Sequence, residues 1–326
     1  MRRFLTLLLV IFIICAGCAK KPEAQKLTKL NIAFQQWVGY GPLYLAQDEG
    51  FLKEEGIELV FIDEQLDSAR REAFKEGILD VEAGTIDLLV SKRSLDTLVV
   101  AVLEIDHSFG ADGIVATEKI KQIKDLVGKK VVFARDDVGE TLISVLLYKA
   151  GIAMDKIDVL PVASEDAAGV FLDQKADAVV TWEPFLTKAL TRPGAHILIS
   201  SKDDPGIIID TLNVREDLVK SNPRLVRGLM RSWFRAVKYY QEHPVEASKI
   251  IAKYYKLTAE EYRKAVEGLF WDNYEDQITP LRQEGLVSIF NTISKIKLMN
   301  RRITKIPSAQ SAINRTLLKG LYENSQ

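Results

Sequence analysis

Across residues 30–201, short β-branched apolar runs alternate with stretches of helical spacing. That order predicts βα units feeding a mostly parallel sheet. The first series gives strands LNIAF, IELVFID, LDVEAGT and TLVVAVLEID, separated by helices PLYLAQDEGF, DSARREAFKEGI and one starting near Thr85 that runs through IDLLVSKR. HSFGADGIVAT then reads as a Gly-punctuated crossing. Beyond it the alternation starts again, with strands KKVVFA, DVLPVA, ADAVVTW and AHILIS among helices KQIKDLVG, VGETLISVLLYKAG, SEDAAGVFLDQ and PFLTKALTR. Two such series make two α/β lobes.

GIIIDTLNVRE reads as an apolar crossing back, and from Asp217 onward the pattern is helical. Asn222-Pro223 marks one helix start. Thr258 with Glu261 marks another, as a capping box in which hydroxyl and carboxylate satisfy each other's exposed amides. If this tail packs on the first lobe, crossovers near residues 106–113 and 207–213 form a two-strand hinge beside a cleft. The expected division is residues 29–112 with 210–326 as lobe 1 carrying the C-terminal helices, and residues 113–209 as lobe 2. The basic stretch KLMNRRITK reads as a solvated helix end.

The N-terminus predicts where the chain works. Arg2 and Arg3 precede an almost unbroken apolar run over residues 4–14, followed by Cys15-Ala16-Gly17-Cys18. This is too short for the ~20 residues of a membrane-spanning helix and reads as a secretory signal over residues 1–17. It resembles the bacterial lipoprotein signal, in which cleavage leaves an acylated cysteine, here Cys18. Residues 18–28 would then be a lipidated end and leash, and the protein would sit in the cell envelope, anchored to a membrane. The alternative is an ordinary cleaved signal with an incidental Cys18.

Both cysteines of the chain, Cys15 and Cys18, fall in that segment. The remainder has no thiol nucleophile, disulfide or Cys-based metal site. The three histidines, His107, His196 and His243, are not spaced as paired ligands on one helix face, so no metal site is expected. Without the signal the chain carries 42 basic against 45 acidic residues, interspersed, which gives no basic face for nucleic acid.

Five segments together resemble the solute-binding proteins of bacterial ABC importers, of the nitrate/sulfonate/taurine type that includes binding proteins for thiamine precursors. They are W-x-G-Y-G-P-x-x-x-A from Trp37, L-D-V-E-A-G-T-I-D-L-L-V from Leu79, E-I-D-H-S-F-G-A-D-G-I-V-A from Glu104, D-L-V-G-K-K-V from Asp125 and A-D-A-V-V-T-W-E-P from Ala176. The resemblance spans residues 30–270. It implies an α/β fold of the type II periplasmic-binding-protein kind, two lobes on a two-crossover hinge with extra C-terminal helices. It also implies a monomer that binds a small-molecule ligand, needs no cofactor, and hands its ligand to an ABC permease and ATPase complex.

In open α/β sheets the ligand crevice lies beyond the carboxyl ends of the strands. This places Gln35, Gln36, Trp37 and Tyr40 at the cleft, the aromatics as an apolar wall with Gly39 and Gly41 allowing a tight turn. Thr85 stands at the next strand end, as ligand contact or plain helix cap. Asp106, Ser108 and Asp112 flank the first crossover, as ligand contacts or hinge groups. On the second lobe Trp182 and Glu183 follow a strand directly, and Gly139, Glu140 and Thr141 open a helix, with ordinary capping as the plainer role for these three. Aromatic and acidic groups favour a heterocycle or an amine over a bare inorganic anion. The expected function is capture of a small organic solute, heterocyclic, amine or sulfonate-like, by interlobe closure, without enzymatic activity. Two alternatives are a ligand sensor feeding a membrane signalling protein, and an enzyme like the thiamine-pyrimidine synthase, whose cysteine-rich motif this chain lacks.

Overall fold

The computed structural model describes residues 26–64 and 66–322. The signal-like segment and Cys18 lie outside them.

Eleven strands among the described residues form two sheets. The first contains β1 (Thr28–Ala33), β2 (Ile57–Ile62), β3 (Val81–Thr85), β4 (Val99–Ser108), β10 (Ile209–Arg215) and β11 (Leu269–Phe270), in the order β11-β4-β10-β3-β1-β2. The second contains β5 (Asp112–Ala116), β6 (Lys130–Phe133), β7 (Asp158–Pro161), β8 (Ala178–Trp182) and β9 (His196–Ser200), in the order β7-β6-β8-β5-β9. In each sheet a strand from the crossing region enters antiparallel among parallel ones: β10 between β3 and β4, and β5 between β8 and β9.

Those two strands correct the sequence reading of both crossings. HSFGADGIVAT holds the end of β4 and all of β5, and GIIIDTLNVRE holds β10. A fully buried strand shows no alternation, so a short apolar run flanked by Gly and Asp reads equally as connection or strand. The first crossing shrinks to residues 109–111 and the second moves earlier, to residues 201–208. The two are stitched together, Ser108 Oγ lying 2.7 Å from Ser201 Oγ, which also accepts from the Gly110 amide at 2.7 Å. One hydrophobic cluster runs from Leu30 and Ile32 in the first lobe through Ala111, Ile207 and Ile208 to Phe133 and Val180 in the second.

Helix Pro223–Glu242 buries Val226, Met230, Trp233 and Val237 along one stripe at helical spacing and packs that stripe on helix Gly41–Asp48. Its Asn222 cap accepts from the Leu225 amide at 3.2 Å. The Thr258 box also forms, Thr258 N donating to Glu261 Oε2 at 2.8 Å and Glu261 N to Thr258 Oγ1 at 3.2 Å. The last long helix, Pro280–Met299, packs on helix Ile86–Ser94 of the first lobe and on helix Val138–Lys149 of the second. The basic stretch at its end is therefore not simply solvated. Lys297 is buried against Asp87 at 3.1 Å and Arg302 reaches Glu140 at 2.6 Å, while Arg301 stays exposed.

Candidate ligand-binding cleft

After β1 the chain stays extended through Trp37, makes a single 3-10 turn over Val38–Tyr40, and enters helix Gly41–Asp48 with Pro42 in its first turn. The tail supplies donors for three successive carbonyls of this turn: Tyr255 Oη to Trp37 O at 2.7 Å, Tyr262 Oη to Val38 O at 2.8 Å, and Trp271 Nε1 to Gly39 O at 2.7 Å. Held this way, the turn points its aromatics inward. The Trp37 indole donates to Asp106 at 3.1 and 3.3 Å, and the Tyr40 hydroxyl donates to Asp210 at 2.5 Å. A Cβ on Gly39 would stand 2.3 Å from both Asp106 Oδ2 and Trp37 Nε1, so glycine is required there.

Asp106 and Asp210 are direct cross-strand neighbours, with Thr85 on the far side of Asp210 in the same row. Burial, and then the charge of Asp210, push the Asp106 carboxyl well above the usual carboxylate range. Asp210 is lifted by burial to about 6, against the hydrogen bonds from Tyr40 and Asp106 that lower it. Asp112, the first residue of β5, is lifted by burial to about 8. Two or more of these carboxyls cannot ionise cheaply together, so the hinge holds protons in the neutral range. Thr85 Oγ1 is buried and has no hydrogen-bond partner among the described residues, so it does not act as a side-chain cap.

Between the lobes lies a cavity of about 920 Å³, within the range of organic-ligand sites. Its apolar wall is Val38, Trp182, Phe185, Tyr255 and Leu257, and Leu66, Leu88 and Leu95 line it from the first lobe. The Trp182 indole N–H is buried there without a partner among the described residues. Asp137, on the second-lobe wall, accepts from the Val138 amide at 2.7 Å, Ser164 Oγ at 3.0 Å and, across the cleft, Gln35 Nε2 at 3.3 Å. Burial raises its carboxyl all the same.

Three arginines also line this space: Arg71, Arg135 and Arg302. Arg135 and Arg302 share Glu140, at 2.9 and 2.6 Å, and Arg71 contacts Glu72 at 3.1 Å. Asp67, a lining carboxylate, is opposed in ionising by burial, yet Lys92 and Arg70 outweigh that and hold it below its usual range.

Of the residues expected from sequence at the cleft, Gln35, Gln36 and Trp182 line the cavity. Trp37, Tyr40, Asp106, Ser108 and Asp112 are instead buried at the hinge, bonded to one another or to Asp210 and Ser201. Thr141 donates to Asp87 at 2.8 Å, an interlobe bond, and the Glu183 carboxylate caps the following helix through Thr187 N and Oγ1 at 3.1 and 2.9 Å. Sequence reading missed Arg71, Arg135, Arg302, Asp137, Ser164, Phe185 and Tyr255. Arg135 and Asp137 were within reach, because they lie between the strand KKVVFA and the helix opening at Gly139 that drew attention. Arg302 and Tyr255 come from the tail, and no local pattern places them at a cleft.

Glu104, His107 and Asp272 also converge, His107 Nε2 lying 3.2 Å from Glu104 and 2.8 Å from Asp272. Arg282 approaches the same nitrogen at 3.3 Å and Asp272 at 3.0 Å, and Arg315 bonds Glu104. Burial opposes protonation of His107, but its two carboxylate partners outweigh burial and raise its pKa. The group is a hinge brace in which His107 bonds one oxygen of each carboxylate while Arg315 and Arg282 bond the other.

Several known proteins share this architecture. A Bacillus subtilis (strain 168) protein named for binding aliphatic sulfonates is 21% identical over 99% of this chain and 98% of its own length. The periplasmic aliphatic sulphonate binding protein SsuA from Escherichia coli superposes with a TM-score of 0.75 at 18% identity, covering 88% of this chain and 92% of that one. The alkanesulfonate-binding protein SsuA from Xanthomonas axonopodis pv. citri, solved with MOPS, gives 0.73 at 16% identity over 88% and 98%. The desulfurization enzyme DszB shares the fold more distantly, with a TM-score of 0.62 at 14% identity. The family described as NMT1/THI5 like matches residues 37–247, well over half of the sequence, and the chain belongs to that family.

Proposed function

We propose that this protein captures a small organic anion between its lobes and delivers it to the permease and ATPase of an ABC importer outside the cytoplasm. The observation that carries the reading is the cavity itself, lined from both lobes across two short crossovers. A ligand touching both walls stabilises the closed form by its contacts to the second wall, which makes closure the signal of loading. The ligand class follows from the lining. Arg71, Arg135 and Arg302 supply positive charge to a lining that also holds Asp67, Asp136, Asp137 and Glu165, and the aromatic wall takes an apolar body.

An alkanesulfonate has a charged head for the arginines and an apolar body for the wall, and the named relatives are named for binding such compounds. This reading differs from the sequence-based preference for a heterocycle or amine, which rested on Trp37, Tyr40, Asp106, Asp112, Trp182 and Glu183 at the cleft, of which Trp182 lines the cavity. Binding without chemistry is the accompanying reading, supported by relatives that are named as binding proteins. No helix among the described residues is long and apolar enough to cross a membrane. Acylation of Cys18 is proposed as the anchor on the strength of the signal-like segment before it, and a Cys18→Ala chain should lose palmitate labelling and leave the membrane fraction.

A thermal-shift screen followed by titration calorimetry tests the ligand class. Methane-, propane- and octanesulfonate and MOPS should raise the melting temperature, because a ligand confined to the folded state stabilises it by mass action. Shifts with pyrimidines or amines and none with sulfonates would overturn the anion assignment.

A further inference from the structure

Three parts of the chain meet beside the cleft mouth: helix Ile86–Ser94 of the first lobe, helix Val138–Lys149 of the second, and the end of tail helix Pro280–Met299. Asp87 accepts from Thr141 Oγ1 of the second lobe at 2.8 Å and pairs with Lys297 of the tail at 3.1 Å, while Lys297 also donates to Ser91 Oγ at 3.0 Å. One turn further on, Asn300 Nδ2 donates to Ser144 Oγ at 3.1 Å. Arg302 then donates to Glu140 Oε1 through Nε at 3.0 Å and Nη2 at 2.6 Å. Asp87, Glu140, Thr141, Ser144 and Lys297 are all buried. Lys297 braces Asp87 within the first lobe, while the Thr141–Asp87, Asn300–Ser144 and Arg302–Glu140 bonds, like Gln35–Asp137, cross between the lobes outside the hinge, so opening the lobes must break them.

We infer that residues 297–302 form a latch from the tail of the first lobe onto helix Val138–Lys149, biasing the protein towards its closed form before any ligand arrives. Buried charge-assisted bonds of this kind lose their partners on opening and are rehydrated incompletely, so each favours the closed state. Arg302 also forms part of the cavity wall, positioned there by Glu140. Closure by the latch therefore assembles the cavity, and a ligand filling the cavity keeps the latch engaged, which is the reciprocity linked equilibria require. The inference is independent of which ligand the cleft takes.

Small-angle scattering of the ligand-free protein tests it, comparing parent with Asn300→Ala and Arg302→Gln. Asn300 is outside the cavity lining, so its variant removes a latch bond and no cavity group. Both variants should show a larger radius of gyration than the parent, with the closed-to-open ratio lowered roughly tenfold for Arg302→Gln, as for loss of a charge-assisted bond. Amides in the first turn of helix Val138–Lys149 should exchange faster in both, while exchange in β6 and β8 stays unchanged and shows the lobe intact. Identical scattering and exchange in all three proteins would overturn the latch. So would faster exchange throughout the second lobe at unchanged radius, which would make these bonds structural only.

Discussion

Asp106 and Asp210 face each other across the antiparallel pairing of β4 and β10, one on the strand that leaves the first lobe and one on the strand that re-enters it. Burial raises both carboxyls, as it does Asp112 at the head of β5. A raised acid adds stability while it keeps its proton and loses that contribution as pH climbs from the unfolded value to the folded one. With folded values of about 6 for Asp210 and about 8 for Asp112 against 3.8 unfolded, stability should fall from about pH 4 to about pH 8. His107, raised by its carboxylate partners, works in the same direction. The slope approaches about 1.4 kcal/mol per pH unit for each group inside its window. Melting curves across this range should show the decline, and Asp112→Asn should flatten its upper half.

Gly39→Ala should loosen the same hinge from above. The added methyl meets the Asp106 carboxylate and the Trp37 indole at 2.3 Å, and neither group can retreat without losing its hydrogen bond to the other. A cost of about 1–3 kcal/mol in urea denaturation is expected for overpacking of this kind. An unchanged midpoint would mean that the turn has room the geometry does not show.

Lys92 is fully buried against Glu82 Oε1 at 3.0 Å and against Asp67, and Arg70 bonds the same Glu82 oxygen at 2.7 Å. Lys92→Met keeps the bulk but leaves two carboxylates short of a counter-charge. It should cost about 3–5 kcal/mol in the same assay, and pairing it with Glu82→Gln should recover part of the loss. If the single variant is neutral, water reaches this network.

Trp182→Phe retains an aromatic wall and removes only the indole N–H. If the ligand accepts from that group, affinity for the tightest-binding sulfonate should fall about tenfold or more, since a bond to a charged acceptor is worth about 1.5–3 kcal/mol. Trp182→Ala should abolish high-affinity binding with the fold intact in the far-ultraviolet spectrum. A phenylalanine variant that binds like the parent would leave Trp182 as an apolar surface alone.

Lobe strands and helix starts were legible in the sequence where local chemistry decides them. The Thr258–Glu261 box and the Asn222 cap are set by residues three apart, and β1, β2 and β6 by their own apolar runs. What stayed hidden depends on partners distant in sequence. Trp37 and Tyr40 occupy a strand-end turn, as read, but which way they point is decided by Tyr255, Tyr262 and Trp271, more than two hundred residues later. Arg302 likewise reaches the cavity only because its helix lies across both lobes. The ligand chemistry read from the sequence followed those side chains, so it shifted when they turned inward.

The placement of β10 carries a consequence for how the chain comes to be folded at all. This strand is the only one bonded to both β3 and β4, yet it follows the whole second lobe in the chain. Until residues 209–215 arrive, β4 has no central neighbour and β3 presents an open edge, a surface prone to pairing with other chains. A molecule threaded from its N-terminus thus cannot finish its first lobe until its second has passed, and anything that holds unfinished chains apart must act through residue 215.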